Sequence, residues 1–402
     1  MKIWFVCIGE PVPLDGNTNS LHRCGQLAFR FAKNGHQVLW ITSNFDHFTK
    51  TKISEPKTQK FSDNLFIRLL ETKPYQKNIS LKRFISHYFI ANKLKNELKD
   101  LKNLNSPDII YASYPTIELP YELVKFAKKN NIPIIVDVRD LWPDIFLSAI
   151  PKSLHSLARI FLFPWYRKKR FIFNNATSII AISNGYVNFA LNESSRVRND
   201  LDKVIYKSFN NNNLKVDNFI QDKFRLVYVG AISRNKTELD SVIECFNSLD
   251  SNYELIICGD GDDLEYYKGL AQNTNIIFKG WVSKLDIISI MNSCDAGIVP
   301  LKNRFDFKLA IVNKAIEYLS FGMPIISSLD GDLKEFIQKN KVGLSYSDSS
   351  ELKKGILRIS KDISYYRELS QNAKYVFEQN FDFERNFSEF ENHFKTIISK
   401  TV

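Results

Sequence analysis

Apolar and polar positions along the chain fall into two runs of alternating strands and helices. Lys2–Ile8 is a short, nearly continuous apolar run, as expected of a strand covered on both faces. Leu21–Lys33 repeats its apolar residues at helical spacing and stops at Asn34-Gly35, and Gln37–Thr42 predicts the next strand. Thr49–Asp63 is polar, rich in Lys and Thr, and reads as a surface insertion. Asp108–Tyr111, Pro133–Val136 and Ser178–Ile182 are further short strands, with helices predicted over Glu118–Asn130 and His155–Asn175. After a strand at Val204–Tyr206, periodicity is lost in an Asn-rich tract, which marks a linker over 208–223.

The alternation then restarts. Arg225–Val229, Tyr253–Cys258, Ile276–Lys279, Ala296–Val299 and Pro324–Ser328 predict strands. Helices are expected over Thr237–Asn247, Asp262–Ala271, Lys284–Asn292 and Asn313–Phe321, the last opened by Asn313 as N-cap and stopped by Gly322 and Pro324. Ile363–Ser399 is helical with no new strand. The chain is therefore expected to be α/β: two doubly wound, Rossmann-like domains over 1–207 and 224–375. A C-terminal helix over 376–402 is expected to pack back on the first of them. Ligands of such sheets bind at the carboxyl ends of the strands, and two domains in series put a crevice between them.

Bulk properties narrow the field. A chain of 402 residues is long for one core. The net charge of +11 suits phosphate substrates, anionic lipid or nucleic acid, but no RNA-binding aromatic motif or zinc finger is present, so nucleic acid is not expected as a partner. The five cysteines are scattered and never paired as C-x-x-C, and the six histidines lack metal spacing. They read as reduced core thiols in a cytosolic protein, with no metal and no cofactor. MKIWFVCIGEP is cut short by Glu10 and Pro11 and reads as a first strand rather than a signal peptide. No stretch is long and apolar enough to span a membrane.

Several strand ends carry candidate chemistry. A diphosphate needs cations and free backbone N–H groups, which the turn Gly230-Ala231-Ile232-Ser233-Arg234-Asn235-Lys236 offers between a strand and a helix. Gly259-Asp260-Gly261 follows the next strand, and Gly280-Trp281-Val282 the one after; Trp281 either stacks on a ligand or pads the loop. Asp260, Asp262 and Asp263 read as turn caps. Lys314 and Glu317 share one helix face, and a carboxylate such as Glu317 accepts both hydroxyls of a ribose. Taken alone they would be an exposed ion pair worth about 0.3–0.5 kcal/mol. In the first half, Gly9-Glu10-Pro11 and Gly16-Asn17 follow the first strand. Asp137-Val138-Arg139-Asp140-Leu141-Trp142-Pro143-Asp144 leaves a later one; there Asp137 and Arg139 can simply pair with each other. Phe161–Arg170 interleaves aromatics with four cations, and Lys77–Lys95 is similar but sparser. Such faces can dock on an anionic membrane surface.

These segments resemble the family-4 glycosyltransferases across nearly the full length, which implies the GT-B fold. Asn313-Lys314-Ala315-Ile316-Glu317-Tyr318-Leu319 resembles a divergent form of the donor helix, with Leu309 where the E-x7-E pattern has its first glutamate. Lys236 matches the Lys of the G-R-x-x-x-x-K turn; Ala231 stands at the Arg position, with Arg234 three residues on as its substitute. The D-x-R-D-L-W-P-D string resembles a branch that builds bacterial surface polysaccharides, O-antigen or capsule. The resemblance implies transfer with retention from a nucleotide-sugar, such as a UDP-sugar, to a lipid-linked saccharide acceptor. In that reading Asp140, Arg234 and Lys236 are catalytic. Gly230, Gly259, Asp260, Gly261, Trp281, Val282, Lys314 and Glu317 bind the donor. Gly9, Gly16, Asn17, Arg139 and Asp144 bind the acceptor, and the enzyme is cytoplasmic, peripheral at the inner face of the membrane. A GT-B sugar-nucleotide 2-epimerase and a non-catalytic scaffold of a polysaccharide-assembly complex are the rival readings.

Overall fold

The computed structural model describes residues 1–13, 21–77, 80–192, 194–209 and 223–401. The chain divides into two compact units, Met1–Ile205 together with Phe387–Val402, and Tyr206–Asn386.

The first unit runs β1 (Lys2–Val6), α1 (Arg23–Lys33), β2 (Gln37–Ser43), β3 (Lys57–Ser62), β4 (Leu65–Leu70), α2 (Leu81–Leu104) and β5 (Ile109–Tyr114). It continues with α3 (Glu118–Asn130), β6 (Ile134–Val138), two short 3-10 turns, α4 (His155–Asn175), β7 (Ser178–Ala181), α5 (Asn184–Asn192) and β8 (Lys203–Val204). Among the described residues its sheet has the order β3-β4-β2-β1-β5-β6-β7-β8, parallel except that β3 is antiparallel to β4. The strand order reverses between β1 and β5, which is where such sheets open a crevice.

Three expectations change here. Thr49–Asp63 is not wholly an insertion: it holds the edge strand β3, polar because it lies at the sheet margin, where Lys57 and Lys60 keep the edge from pairing further. The long helix α2 escapes the periodicity because its outward face is also apolar, with Leu81, Ile85 and Tyr88 exposed. The strand expected at Val204–Tyr206 is Lys203–Val204, since Tyr206 already belongs to the second unit, where it packs on Phe336 and Phe381.

The second unit runs β9 (Phe224–Val229), α6 (Asp240–Asn247), β10 (Tyr253–Cys258), α7 (Leu264–Leu270), β11 (Ile276–Gly280), α8 (Lys284–Asn292) and β12 (Ala296–Val299). After these come α9 (Phe305–Lys308), α10 (Asn313–Ser320), β13 (Ile325–Ser327), α11 (Asp332–Asn340), β14 (Gly343–Ser345), α12 (Ser349–Lys361) and α13 (Ile363–Asn380). The described strands are all parallel in the order β11-β10-β9-β12-β13-β14, with the reversal between β9 and β12. The dinucleotide-binding folds share this arrangement.

The last helix, α14 (Phe383–Thr401), belongs to the first unit from Phe387 onward. Phe387, Phe390, Phe394 and Ile397 are buried, and Phe394 stacks near Phe5 and Phe31 at 6.0 and 4.9 Å. The return thus starts at Phe387 rather than at residue 376, because Val376, Phe377 and Phe381 are core residues of the second unit.

Candidate functional site

In the second unit, the loops leaving β9, β10 and β12 are held main chain to main chain. Gly230 N–H donates to Cys258 O at 2.9 Å, Ile232 N–H to Asp260 O at 3.0 Å, and Gly259 N–H to Gly280 O at 2.7 Å. A Cβ on Gly259 would lie 1.8 Å from Gly230 O, and one on Gly261 would lie 2.0 Å from Ile232 O. The G-D-G turn is therefore glycine because two turns are in backbone contact, a reason beyond tight turning. Glu238 N–H donates to Pro300 O at 2.7 Å and Lys302 N–H to Lys236 O at 2.9 Å, so the loops flanking the reversal of strand order are stitched together.

Lys236 is exposed at this strand end, and among the described residues its ammonium has no partner. Arg234 differs: its guanidinium lies 4.0 Å from the centre of the Tyr266 ring, and its backbone N–H donates to Asp263 at 2.8 Å. Asp260 accepts from the N–H of Gly261 at 2.7 Å, closing its own turn. Trp281 is 79% exposed, whereas Val282 is partly buried and packs on the core.

Helix α10 is fixed from beneath. The Tyr318 hydroxyl accepts from Val229 N–H at 3.1 Å, tying the helix to the end of β9, and burial raises that phenol's pKa well above its usual range. A Cβ on Gly297 would strike the Tyr318 ring at 2.2 Å, so Gly297 makes room for it. Lys314 and Glu317 then pair at 2.7 Å, both partly exposed, and the Lys314 charge is felt at Cys258, the last residue of β10. The N-cap of α10 is Val312, in extended backbone, and not Asn313, which is the first helical residue and does not cap it. Near Leu309, the carboxylate of Asp306 is engaged by Arg304 at 3.0 and 3.1 Å.

The first unit has a cavity of about 230 Å³ at the carboxyl ends of β1, β2, β5 and β6. It is lined by Gly9, Glu10, Arg139 and Asp140, and also by His47, Tyr75, Arg83 and His87, which the sequence had not singled out. Gly9 has φ +80 where the chain turns out of β1. Glu10 is buried and accepts from the N–H groups of Cys24 and Gly25 at the start of α1, at 3.1 and 3.2 Å, while pairing with Arg139. Burial pushes its pKa up, but the Arg139 charge and those N–H groups outweigh it and hold the carboxyl below its usual value. Asp140 accepts from Leu141 N–H at 2.7 Å.

His47 bonds the Tyr75 hydroxyl at 2.6 Å, and burial with Lys50 and Arg83 lowers its pKa to about 4. His87 is buried; desolvation and Arg83 bring it to about 3, and among the described residues its Nδ1 has no hydrogen-bond partner, like Thr116 Oγ1, which also lines the cavity. The cavity thus carries neutral imidazoles beside two guanidinium groups.

Two placements differ from expectation. Asp137 and Arg139 do not pair with each other: Asp137, fully buried, accepts from Arg23 at 3.0 and 3.2 Å and from the Tyr111 hydroxyl. Asp144 does not line the cavity; it accepts from Tyr166 and from buried Lys169, each at 2.9 Å, and so anchors the 3-10 turn to α4. Gly16 and Asn17 lie outside the described residues.

Cys7, Glu10 and Cys24 put three ligand-type atoms within 4.8 Å of one another. The set suits a cation poorly. The Arg139 guanidinium already holds the Glu10 carboxylate and lies 3.6 Å from Cys7 Sγ, and burial beside Cys7 pushes the Cys24 thiol well above its usual pKa. All five cysteines are buried and free. Among the described residues, no helix is long and apolar enough to cross a membrane.

Solved structures share this architecture over the whole chain. Sucrose-phosphate synthase from Thermosynechococcus elongatus superposes with a TM-score of 0.70 at 15% identity, covering 100% of both chains. The Anabaena protein HepE in complex with UDP superposes with a TM-score of 0.65 at 16% identity, over 98% of this chain and 100% of that one; HepE has also been solved with UDP-glucose. The fold is GT-B. Family comparison is consistent in both halves: residues 23–197 match Glycosyltransferase Family 4, and residues 210–376 match Glycosyl transferases group 1. The chain therefore carries a family-4-like domain followed by a group-1 domain of the GT-B glycosyltransferases. An uncharacterized glycosyltransferase of Methanocaldococcus jannaschii is 24% identical over 248 residues, spanning 57% of this chain and 61% of that protein's length.

Proposed function

We propose that this protein is a glycosyltransferase that moves a hexosyl or N-acetylhexosaminyl group, with retention, from a UDP-sugar to a lipid-linked saccharide during surface-polysaccharide assembly. The observation that carries the reading is Glu317, held with Lys314 on a helix that Tyr318 pins to the end of β9, where the glycine turns lock together main chain to main chain and Lys236 stands exposed. In this reading Glu317 takes the ribose hydroxyls, and the Lys236 ammonium stabilises the departing diphosphate, where charge develops in the transition state. Arg234 acts less directly, since Tyr266 holds its guanidinium. The transition state is oxocarbenium-like, and the acceptor hydroxyl attacks on the face that the leaving group vacates. The first-unit cavity takes the acceptor sugar, with Asp140 and Arg139 on its hydroxyls. HepE's complexes with UDP and UDP-glucose support the choice of base, and the D-x-R-D-L-W-P-D string supports the polysaccharide branch. A lipid-linked acceptor places the enzyme at the inner face of the cytoplasmic membrane.

The test is calorimetric binding of UDP, GDP, ADP and CMP to the wild type and to Glu317→Ala. Micromolar binding of UDP, lost in the variant, is expected. No binding of any nucleotide to folded protein would overturn the donor site and favour a scaffold.

A further inference from the structure

The basic-aromatic segment at Phe161–Arg170 does two jobs. Its later part is structural: Trp165 Nε1 donates to Glu118 at 2.6 Å, Lys168 lies 3.7 Å from Glu118, and Lys169 is buried on Asp144. Its earlier part, with the turn of helix before it, leaves large apolar side chains in water. Ile160 is 70% exposed and Phe161 74%, with Leu157 and Phe163 exposed beside them. Leu157, Ile160 and Phe161 fall at helical i, i+3 and i+4 positions, so they form one stripe. A second stripe, Leu81, Ile85 and Tyr88, runs along α2 at i, i+4 and i+7, with Leu81 75% exposed. The two helices touch: the Phe84 ring lies 5.0 Å from that of Trp165. The stripes therefore belong to adjoining helices.

The segments that carry the stripes contribute charge of one sign. No Asp or Glu occurs from residue 72 to 96 or from 145 to 192. Lys82, Lys152, Arg159, Arg167 and Arg170 are all exposed. A monomer seldom leaves so many large apolar side chains in water without a use for them. A second copy of this chain is a poor occupant, because a two-fold contact would set this cationic face against itself.

We infer that the face formed by α2 and the first half of α4 docks on an anionic phospholipid leaflet, with its apolar stripes at headgroup depth and its cations on lipid phosphates. Helix α2 is a shared wall. Arg83, Ser86 and His87 on its other side line the cavity, so the cavity lies one helix diameter, about 10 Å, from the docked surface. The saccharide of an acceptor embedded in that leaflet reaches the cavity without leaving its lipid. This last point rests on the proposed acceptor; the docking itself does not.

The experiment is co-sedimentation of the full chain with phosphatidylcholine vesicles, and with vesicles carrying roughly a third phosphatidylglycerol. Variants are the pair Ile160→Asp with Phe161→Asp, and separately Arg159→Glu with Arg167→Glu. UDP calorimetry and thermal melting are measured on each. Binding to anionic vesicles only is expected, falling at least tenfold in both variants while melting and UDP binding stay unchanged. Equal binding to neutral vesicles, or variants that bind like the wild type, overturns the inference. So does a chain that ignores vesicles and forms a dimer abolished by Phe161→Asp. Vesicle binding without nucleotide binding would instead sink the donor reading and leave the docking intact.

Discussion

The two candidate sites are built on different physical plans. In the first unit the groups are buried side chains brought from β1, β2, α2, β5 and β6, fixed by desolvation and pairing: Glu10 on Arg139, His47 on Tyr75. In the second unit the frame is main chain against main chain, and the charged groups Lys236, Lys314 and Glu317 stand partly or fully in water. A site of the first kind cannot be changed without disturbing the fold around it. A site of the second kind can lose a side chain and keep its shape, provided the glycines remain.

The sharpest way to break this contrast is Asp137→Ala. It strips the buried acceptor from Arg23 and Tyr111 and should cost about 3–5 kcal/mol in denaturant unfolding. A cost below about 1 kcal/mol would put the pair with ordinary surface salt bridges.

Acid should separate the units next. Every histidine of the chain lies in the first unit. The folded pKa values of His47, about 4, and His87, about 3, lie below the ordinary 6.5, so the unfolded chain takes up these protons first. Their contribution to stability is complete above pH 6.5, falls as pH drops towards 4 and 3, and levels off below. For buried His87 the slope is about 1.4 kcal/mol per pH unit. Hydrogen exchange followed by mass spectrometry should show the first unit loosening in that window while the second holds, and His87→Phe should flatten the response. Equal loosening of both units would refute it.

Gly259→Ala should cost about 2–4 kcal/mol, its methyl meeting Gly230 O. It should weaken UDP binding with it, so that here alone the second site behaves like the first. The smallest difference separates two cations of one turn. Lys236→Ala should lower kcat by about 10²-fold. Arg234→Ala should change it by less than about threefold, since it removes an exposed cation–π contact worth about 0.5–1 kcal/mol. Equal losses would mean that Arg234 leaves Tyr266 when donor binds.

The same contrast decides what the sequence could reveal. Most strands and helices of both units were legible, because parallel strands covered on both faces appear as continuous apolar runs, but β4, α11, β14 and α12 were not read from the sequence. The second site was legible too: Gly230, Gly259, Gly261 and the Lys314–Glu317 pair sit within short motifs at strand ends. The first site was only half legible. Arg139 and Asp140 follow a strand and could be found, but His47, Tyr75, Arg83 and His87 meet only through the packing of β2 and α2, and no local spacing announces them. Asp144 sits apart from the cavity for a related reason: its motif is local, but its partner Lys169 is a helix away. Helix α2 was hidden by the apolar outer stripe that the docking inference explains.

One consequence of the last helix concerns the order in which the protein is made. The first unit is discontinuous: Ile205 and Phe387 both belong to it, with the whole second unit between them. On the ribosome the β1–β8 sheet emerges early, yet Phe387, Phe390, Phe394 and Ile397, which fill the space over Phe5, Phe31 and Tyr111, come last. At typical rates of synthesis the sheet waits roughly 10–40 s for them. For that interval a nascent chain exposes an aromatic face that the finished protein never shows. The second unit, being continuous, can fold in the meantime. The helix that closes the molecule is thus also its completion signal, and a chain cut short before Phe387 offers that aromatic face to chaperones and proteases.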